Sequence, residues 1–260
     1  MRRLLAILFL CLLPSLAHAG RQFDGTDDAL VSASAINLSG SPSLSVSFWL
    51  WWDAFADDDK NAVSHGYDTA TNYFRITPNN GSGLFTVGQS GNVGPNFAEY
   101  DRASISTGAW HHFVAIFDRT QAANEVDLYL DGSILTPANR PDVENNTDNF
   151  SSDELNVMRF SAAFGGYGAG RIADVAIWTS VLSGGNITSL SGGTLPSAIS
   201  PAPAYYWKIC GTSSPETATT GGVNLTLVDA PTQVAHPSAI TASCSAPPAS
   251  SRRRRPIIFQ

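Results

Sequence analysis

Residues 110–136 read WHHFVAIFDRTQAANEVDLYLDGSILT, and this stretch decides the fold. With a period of two, Trp110, His112, Val114 and Ile116 share one face of a strand, while His111, Phe113, Ala115 and Phe117 share the other. Side chains alternate across a strand, so a segment apolar on much of both faces belongs inside a layered β structure, not at its rim. A polar loop follows. Alternation then resumes with Val126, Leu128 and Leu130 against Asp127 and Tyr129. Asp131-Gly132 stands between this run and Ser133-Ile134-Leu135. A type I′ turn needs positive φ at both central residues, so an Asp-Gly pair between apolar runs predicts a hairpin.

The same alternation spreads outward. In residues 43–52, Leu44, Val46, Phe48, Leu50 and Trp52 oppose Ser45, Ser47, Trp49 and Trp51. Large aromatics are usually core, so Trp49 is expected beneath a further layer; Trp51 is expected either there or lining a groove. Shorter strands are expected at 62–65, 73–77, 84–88, 155–160, 171–178, 204–209 and 224–228. Ile172, Asp174, Ala176 and Trp178 are expected on one face of their strand, an odd place for a carboxylate without a partner. Residues 88–103 read as a polar Gly/Asn-rich loop and 137–154 as a long polar excursion, while 183–190 carries the helical signal. About ten short strands with regular turn signals predict an all-β, antiparallel two-sheet sandwich.

The N-terminus predicts a signal peptide over residues 1–19. Arg2 and Arg3 precede an apolar run from Leu4 to Leu13, and Ala17-His18-Ala19 offers an A-x-A cleavage site. Export to a secreted, periplasmic or extracellular location follows, with no stable membrane insertion after cleavage. Cleavage would remove Cys11 and leave Cys210 and Cys244. An oxidising compartment favours a disulfide between these two, against the alternative of independent thiols. The bridge would close a loop of about 35 residues, worth roughly 3–4 kcal/mol in the chain-entropy model.

The whole chain carries −7; without Arg2 and Arg3 it carries −9, and without the four arginines Arg252–Arg255 as well, −13. Such an acidic body does not suit nucleic acid or an anionic membrane surface. Acidic loops suit a divalent cation or a cationic partner. Residues 245–260 are rich in Pro and Ser and then basic, which predicts a disordered tail.

The chain resembles the laminin-G-like, concanavalin A-like jelly-roll family. The resemblance is carried in order by Phe23-Asp24-Gly25-Thr26-Asp27-Asp28, Leu44-Ser45-Val46-Ser47-Phe48-Trp49, Gly108-Ala109-Trp110-His111-His112-Phe113-Val114-Ala115 and Leu128-Tyr129-Leu130-Asp131-Gly132. Gly170-Arg171-Ile172-Ala173-Asp174-Val175-Ala176-Ile177-Trp178 completes it, with Leu182-Ser183. It implies a jelly roll over 20–190, with 191–244 as an extension packing on the sandwich. It also implies binding of glycans or cell-surface proteins at rim loops, often with calcium. A structural calcium linking the first strand to the last sandwich strand points to Asp24 or Asp28, carbonyls near Gly25, and Asp174. Ser161-Ala162-Ala163 stands where calcium-binding pentraxins carry acidic ligands, and the glycanase pattern E-x-D-x-x-E is absent.

The residues favour recognition over catalysis. His111 and His112 point to opposite faces of one strand, and no nucleophile elbow accompanies them. The acids lie mainly in loops and turns, unlike the opposed carboxylates of a glycosidase. Sugar sites combine a flat aromatic face with a few polar groups. Candidates are Trp51, Tyr67, Tyr73, Tyr100, Phe164 and Tyr167, with Asp68, Asn72 and Asn96 as polar neighbours. The expected function is therefore a non-catalytic carbohydrate-binding module. A protein-interaction or adhesive module is the alternative, and a polysaccharide-degrading enzyme the second alternative.

Overall fold

The computed structural model describes residues 18–54, 59–67, 72–78, 80–210, 214–235 and 237–240. The leader before His18, the tail from Thr241 and Cys244 fall outside these residues. In chain order the strands are β1 (His18–Asp24), β2 (Ala29–Ser32), β3 (Ile36–Asn37), β4 (Ser43–Trp52), β5 (Val63–His65), β6 (Phe74–Thr77), β7 (Leu84–Ser90) and β8 (Pro95–Asp101). There follow β9 (Trp110–Asp118), β10 (Val126–Leu130), β11 (Ser133–Ile134), β12 (Ser152–Asp153), β13 (Leu155–Val157), β14 (Ala169–Trp178), β15 (Tyr205–Trp207), β16 (Leu225–Val228) and β17 (Thr232–Ala235). One short helix, α1 (Gly184–Ser191), starts at Ser183, whose hydroxyl accepts from the Asn186 amide at 3.2 Å.

Two large antiparallel sheets form the sandwich. The first has eight strands, ordered β11-β10-β9-β4-β14-β1-β17 with β15 also on β14; the second has seven, ordered β16-β2-β13-β5-β6-β7-β8. β4 and β9 pair from Ser43↔Asp118 to Trp51↔Trp110 without a break. Their inward residues Leu44, Val46, Phe48, Leu50, Phe113, Ala115 and Phe117 meet Phe74, Phe85 and Val87 of the second sheet in one core. Phe48, Phe113 and Phe85 stack through it, with ring centroids 5.6 and 5.2 Å apart. The hairpin turn forms as expected, with φ of 48° at Asp131 and 85° at Gly132.

Three sequence expectations are corrected. Residues 88–103 are not a loop: β8 lies within them and closes the second sheet as its edge strand. Its polar character hid it, and Pro95 is tolerated because it opens an edge strand. The excursion at 137–154 then covers that edge through bridges Asn96↔Val143 and Glu99↔Asn139. Buried Arg119 holds it further, donating to Asp148 at 3.0 Å and to the Asn149 carbonyl at 3.2 Å. Residues 232–235, given no strand in the sequence reading, form β17 on β1.

The third correction concerns β14. Ile172 faces the central core, but Ala176 and Trp178 face outward. The register against β4 shifts between Ala173 and Ala176. Asp174, at φ 50°, belongs to this bulge, and one extra residue inverts the parity of everything after it. The bulge lies where the neighbour of β14 changes from β1, which pairs as far as Ile172, to β15, which pairs from Val175. Asp174 donates its amide to the Lys208 carbonyl at 3.2 Å, and its carboxylate accepts the Tyr206 hydroxyl. Burial, and then the Asp174 charge, push the Tyr206 hydroxyl up.

The outer face of the first sheet is covered. Val114, Ile116, Ala176, Trp178 and Tyr206 pack with Leu182, Ile187, Leu190 and Ile199 from α1 and its flanks. Trp49, 7% exposed, packs with Ala173 and Ile240, as its expected burial required. Residues 182–199, with Ile240, thus cover this face, and β15, β16 and β17 add strands to the two sheets.

Candidate functional site: an aromatic cleft beside the second sheet

A continuous aromatic and cationic line starts on the outer face of the second sheet. Arg75, Gly88 and Phe97 occupy one row across β6, β7 and β8. A Cβ on Gly88 would stand 1.6 Å from the Phe97 ring, so the glycine leaves the gap that the ring fills. There the ring lies 4.7 Å from the Arg75 guanidinium carbon. Arg75 also sits 5.7 Å from the Tyr67 ring and donates to its hydroxyl at 3.2 Å. Guanidinium groups stack favourably on aromatic faces, so this arrangement fixes Tyr67 after β5.

Tyr67 is the hub. Its ring stacks on Phe160 at 5.1 Å and meets Tyr73 edge-on at 5.1 Å and Phe164 edge-on at 5.5 Å. Phe164 stands 64% exposed, which places a large ring in water at the tip of its loop. The loop is tightly built: the Phe164 amide donates to Ser161 Oγ at 3.2 Å, and Phe160 donates to the Gly165 carbonyl at 2.8 Å. Gly165 and Gly166 both take φ of 64°, and a Cβ on Gly166 would come within 2.1 Å of the Phe160 ring. Asp59, Lys60, Tyr67, Phe160, Phe164 and Gly166 line an open cleft of about 330 Å³. Asp59 Oδ1 accepts the Gly81 amide at 2.9 Å, and Lys60 donates to the Gly25 carbonyl at 3.4 Å. The cleft therefore brings aromatic rings together with a carboxylate and an ammonium. That is the chemistry that holds a sugar ring by stacking and hydrogen bonds.

Of the sequence candidates, Tyr67, Tyr73 and Phe164 come together here. Tyr167 is half-buried close by, its ring 3.4 Å from where a Cβ on Gly165 would stand. Asp68 lies outside the described residues. Tyr100 is 1% exposed, on the inner face of β8, so no ligand reaches its ring. Asn96 is also buried, donating to the Glu144 carbonyl at 3.0 Å, and Asn72 accepts from Arg119 at 2.8 Å. Trp51 stands elsewhere, in a row Gln22–Arg171–Trp51–Trp110 across the first sheet. Arg171 covers its ring at 4.4 Å and its indole donates to Asp53 at 3.1 Å. Sequence reasoning missed Phe160, Asp59, Lys60 and Arg75. Phe160 read as the end of a strand; the alternation of Phe74, Arg75 and Ile76 was the signal that aimed Arg75 outward.

The metal candidates separate. Asp24 and Asp28 join Asp27, with one oxygen from each within 4.8 Å of the others. Asp28 accepts the amides of Asp24 at 3.2 Å and Ala230 at 3.1 Å. Burial, opposed by those amides and reinforced by the Asp24 charge, pushes its carboxyl above the usual carboxylate range. Three clustered carboxylates are donor chemistry that fits calcium. Asp174 is engaged at its bulge with Tyr206 and does not belong to this group.

The two large antiparallel sheets define a jelly-roll sandwich. The chain belongs to the concanavalin A-like lectin/glucanases superfamily, whose laminin G family model matches residues 24–188. Among solved structures it is similar to a candidate carbohydrate binding protein from Bacteroides ovatus, with a TM-score of 0.60 at 15% identity over 87% of this chain. This chain spans 62% of that protein's length. A heptameric SAP-like pentraxin from Limulus polyphemus aligns with a TM-score of 0.51 at 12% identity, covering 82% of this chain and 97% of the pentraxin. No curated protein matches the sequence. Among the described residues, no helix is long and apolar enough to cross a membrane.

Proposed function

We propose that this protein is an exported recognition module that binds carbohydrate, without chemistry on the sugar, in the Tyr67–Phe160–Phe164 cleft. The observation that carries this reading is Phe164, a large ring held in solvent by a hydrogen-bonded glycine loop, beside polar Asp59 and Lys60. Exposing such a ring costs apolar burial, and a stacked sugar face would recover it. The B. ovatus likeness supports the choice of ligand class. Asp24, Asp27 and Asp28 would hold a structural calcium that ties the start of the sandwich together. Cys210 and Cys244 would form the disulfide of the exported chain, and the cleaved leader would end at Ala19.

A glycan array probed with and without chelator tests the reading. Binding to at least one glycan, lost in Phe164→Ala, supports it. No glycan bound under either condition would overturn it in favour of a protein-interaction or adhesive module.

A further inference from the structure

His111, which the sequence left without a catalytic partner, has two. Its Nε2 lies 2.7 Å from Ser106 Oγ, and its Nδ1 lies 2.7 Å from Asp131 Oδ2. The other oxygen of Asp131 accepts the His112 amide at 2.8 Å, which fixes the carboxylate in the plane it needs. The Asp131 amide donates in turn to the His112 carbonyl at 2.8 Å, so turn and strand lock each other. An ionised carboxylate only accepts, so Nδ1 carries the proton and the Nε2 lone pair accepts the Ser106 hydroxyl. Partial burial pulls the Asp131 carboxyl up, but the bonds from His111 and the His112 amide outweigh it and hold the group below the usual range.

The order of contacts is the one nucleophilic acyl transfer requires: hydroxyl to the imidazole nitrogen remote from the acid, acid to the near nitrogen. Such sets are recognised by geometry and roles, since they recur on unrelated folds. Ser106 is exposed, whereas the His111 side chain is 17% exposed. A nucleophile that substrate can reach thus stands in front of a sheltered base. Ser106 and His111 also border a narrow apolar crevice lined by Leu50, Trp52, Phe85 and Phe113. That crevice is closed to a water-sized sphere, so an ester would meet Ser106 from its solvent-exposed side, which favours small, unhindered acyl groups.

We propose that Ser106, His111 and Asp131 form a hydrolytic centre for short-chain carboxylic esters, separate from the glycan cleft and independent of it. Ser106 Oγ attacks the ester carbonyl carbon while its proton passes to His111 Nε2. The carbon–oxygen bond to the leaving alcohol breaks, and that oxygen takes the proton from Nε2. Water then attacks the acyl carbon and gives a proton to Nε2; the bond to Ser106 breaks, and Oγ takes that proton back. Ester and water become acid and alcohol, and the protein is unchanged. Ser106 and His111 are the catalytic residues, and Asp131 is a positioning residue.

The test treats the full chain with a fluorophosphonate and, separately, with p-nitrophenyl acetate. One adduct mapped to Ser106 is expected, together with ester hydrolysis that falls to the buffer rate in Ser106→Ala. His111→Ala should fall by about a hundredfold or more. Asp131→Asn should lower kcat by a similar factor with KM little changed, and Asp131→Glu should recover part of it, a split that a merely structural staple would not give. Absence of the adduct from the folded wild type, or hydrolysis by Ser106→Ala at the wild-type rate, would overturn the proposal. Ser106 is exposed, so its alanine variant should fold normally and keep that comparison valid.

Discussion

The two sheets obey the same alternation but treat their outer faces differently. On the first sheet, Val114, Ile116, Trp178 and Tyr206 are sealed beneath α1 and its flanks. Beside the second sheet, Phe97, Arg75 and Tyr67 lead to an exposed Phe164. An outward aromatic is therefore core or exposed platform according to whether later chain returns to cover it. Among the described residues, the C-terminal third supplies the cover on the first sheet's outer face.

Truncating each side separates the two roles. Trp178→Ala should cost about 3–5 kcal/mol, because a buried ring that also donates to the Pro201 carbonyl at 2.9 Å is lost. Thermal or denaturant unfolding checks this. Gly166→Ala comes next: its Cβ would meet the Phe160 ring at positive φ, costing about 1–3 kcal/mol and displacing the cleft wall. Phe164→Ala should change stability by only about 0.5 kcal/mol or less, since its ring is mostly in water. Equal destabilisation by Trp178→Ala and Phe164→Ala would erase the distinction between the two faces.

Acid probes the sealed interior. Burial lowers His112, beneath the covered face, to about 3, and His65, stacked on Phe74, to about 4. Both stay neutral in the fold while the unfolded chain takes up protons near pH 6.5. Stability from these groups is complete above that value. It falls as pH drops towards the folded values, by roughly 1.4 kcal/mol per pH unit for each. His112→Gln should remove one such contribution from the slope between pH 6 and 4, measured by denaturant titration at each pH. Calcium is the last probe. Excess calcium should raise the thermal midpoint by a few degrees over chelator, and Asp28→Asn should abolish the difference.

Much of the sandwich was legible, because β4, β9 and β10 carry an alternation that two packed layers impose. Strand β8 was not, since an edge strand covered by a polar excursion needs little apolar signal. The parity of β14 was not either: one inserted residue at Asp174 reverses which face is inward, and composition does not mark it. At the cleft, aromatic type and loop context found Tyr67, Tyr73 and Phe164. They could not show that Tyr100 points inward, because that depended on recognising β8. Ser106 and Asp131 escaped notice because a loop serine and a turn aspartate acquire a shared partner only when β9 and the hairpin turn come together.

The central claim is that the exposed Phe164 ring is a binding surface. Calorimetric titration of a glycan identified on the array tests it most directly, comparing wild type with Phe164→Ala at matched thermal midpoints. The account predicts an affinity loss of about tenfold or more in the variant, the worth of one stacked ring. Unchanged affinity in a folded variant would contradict it.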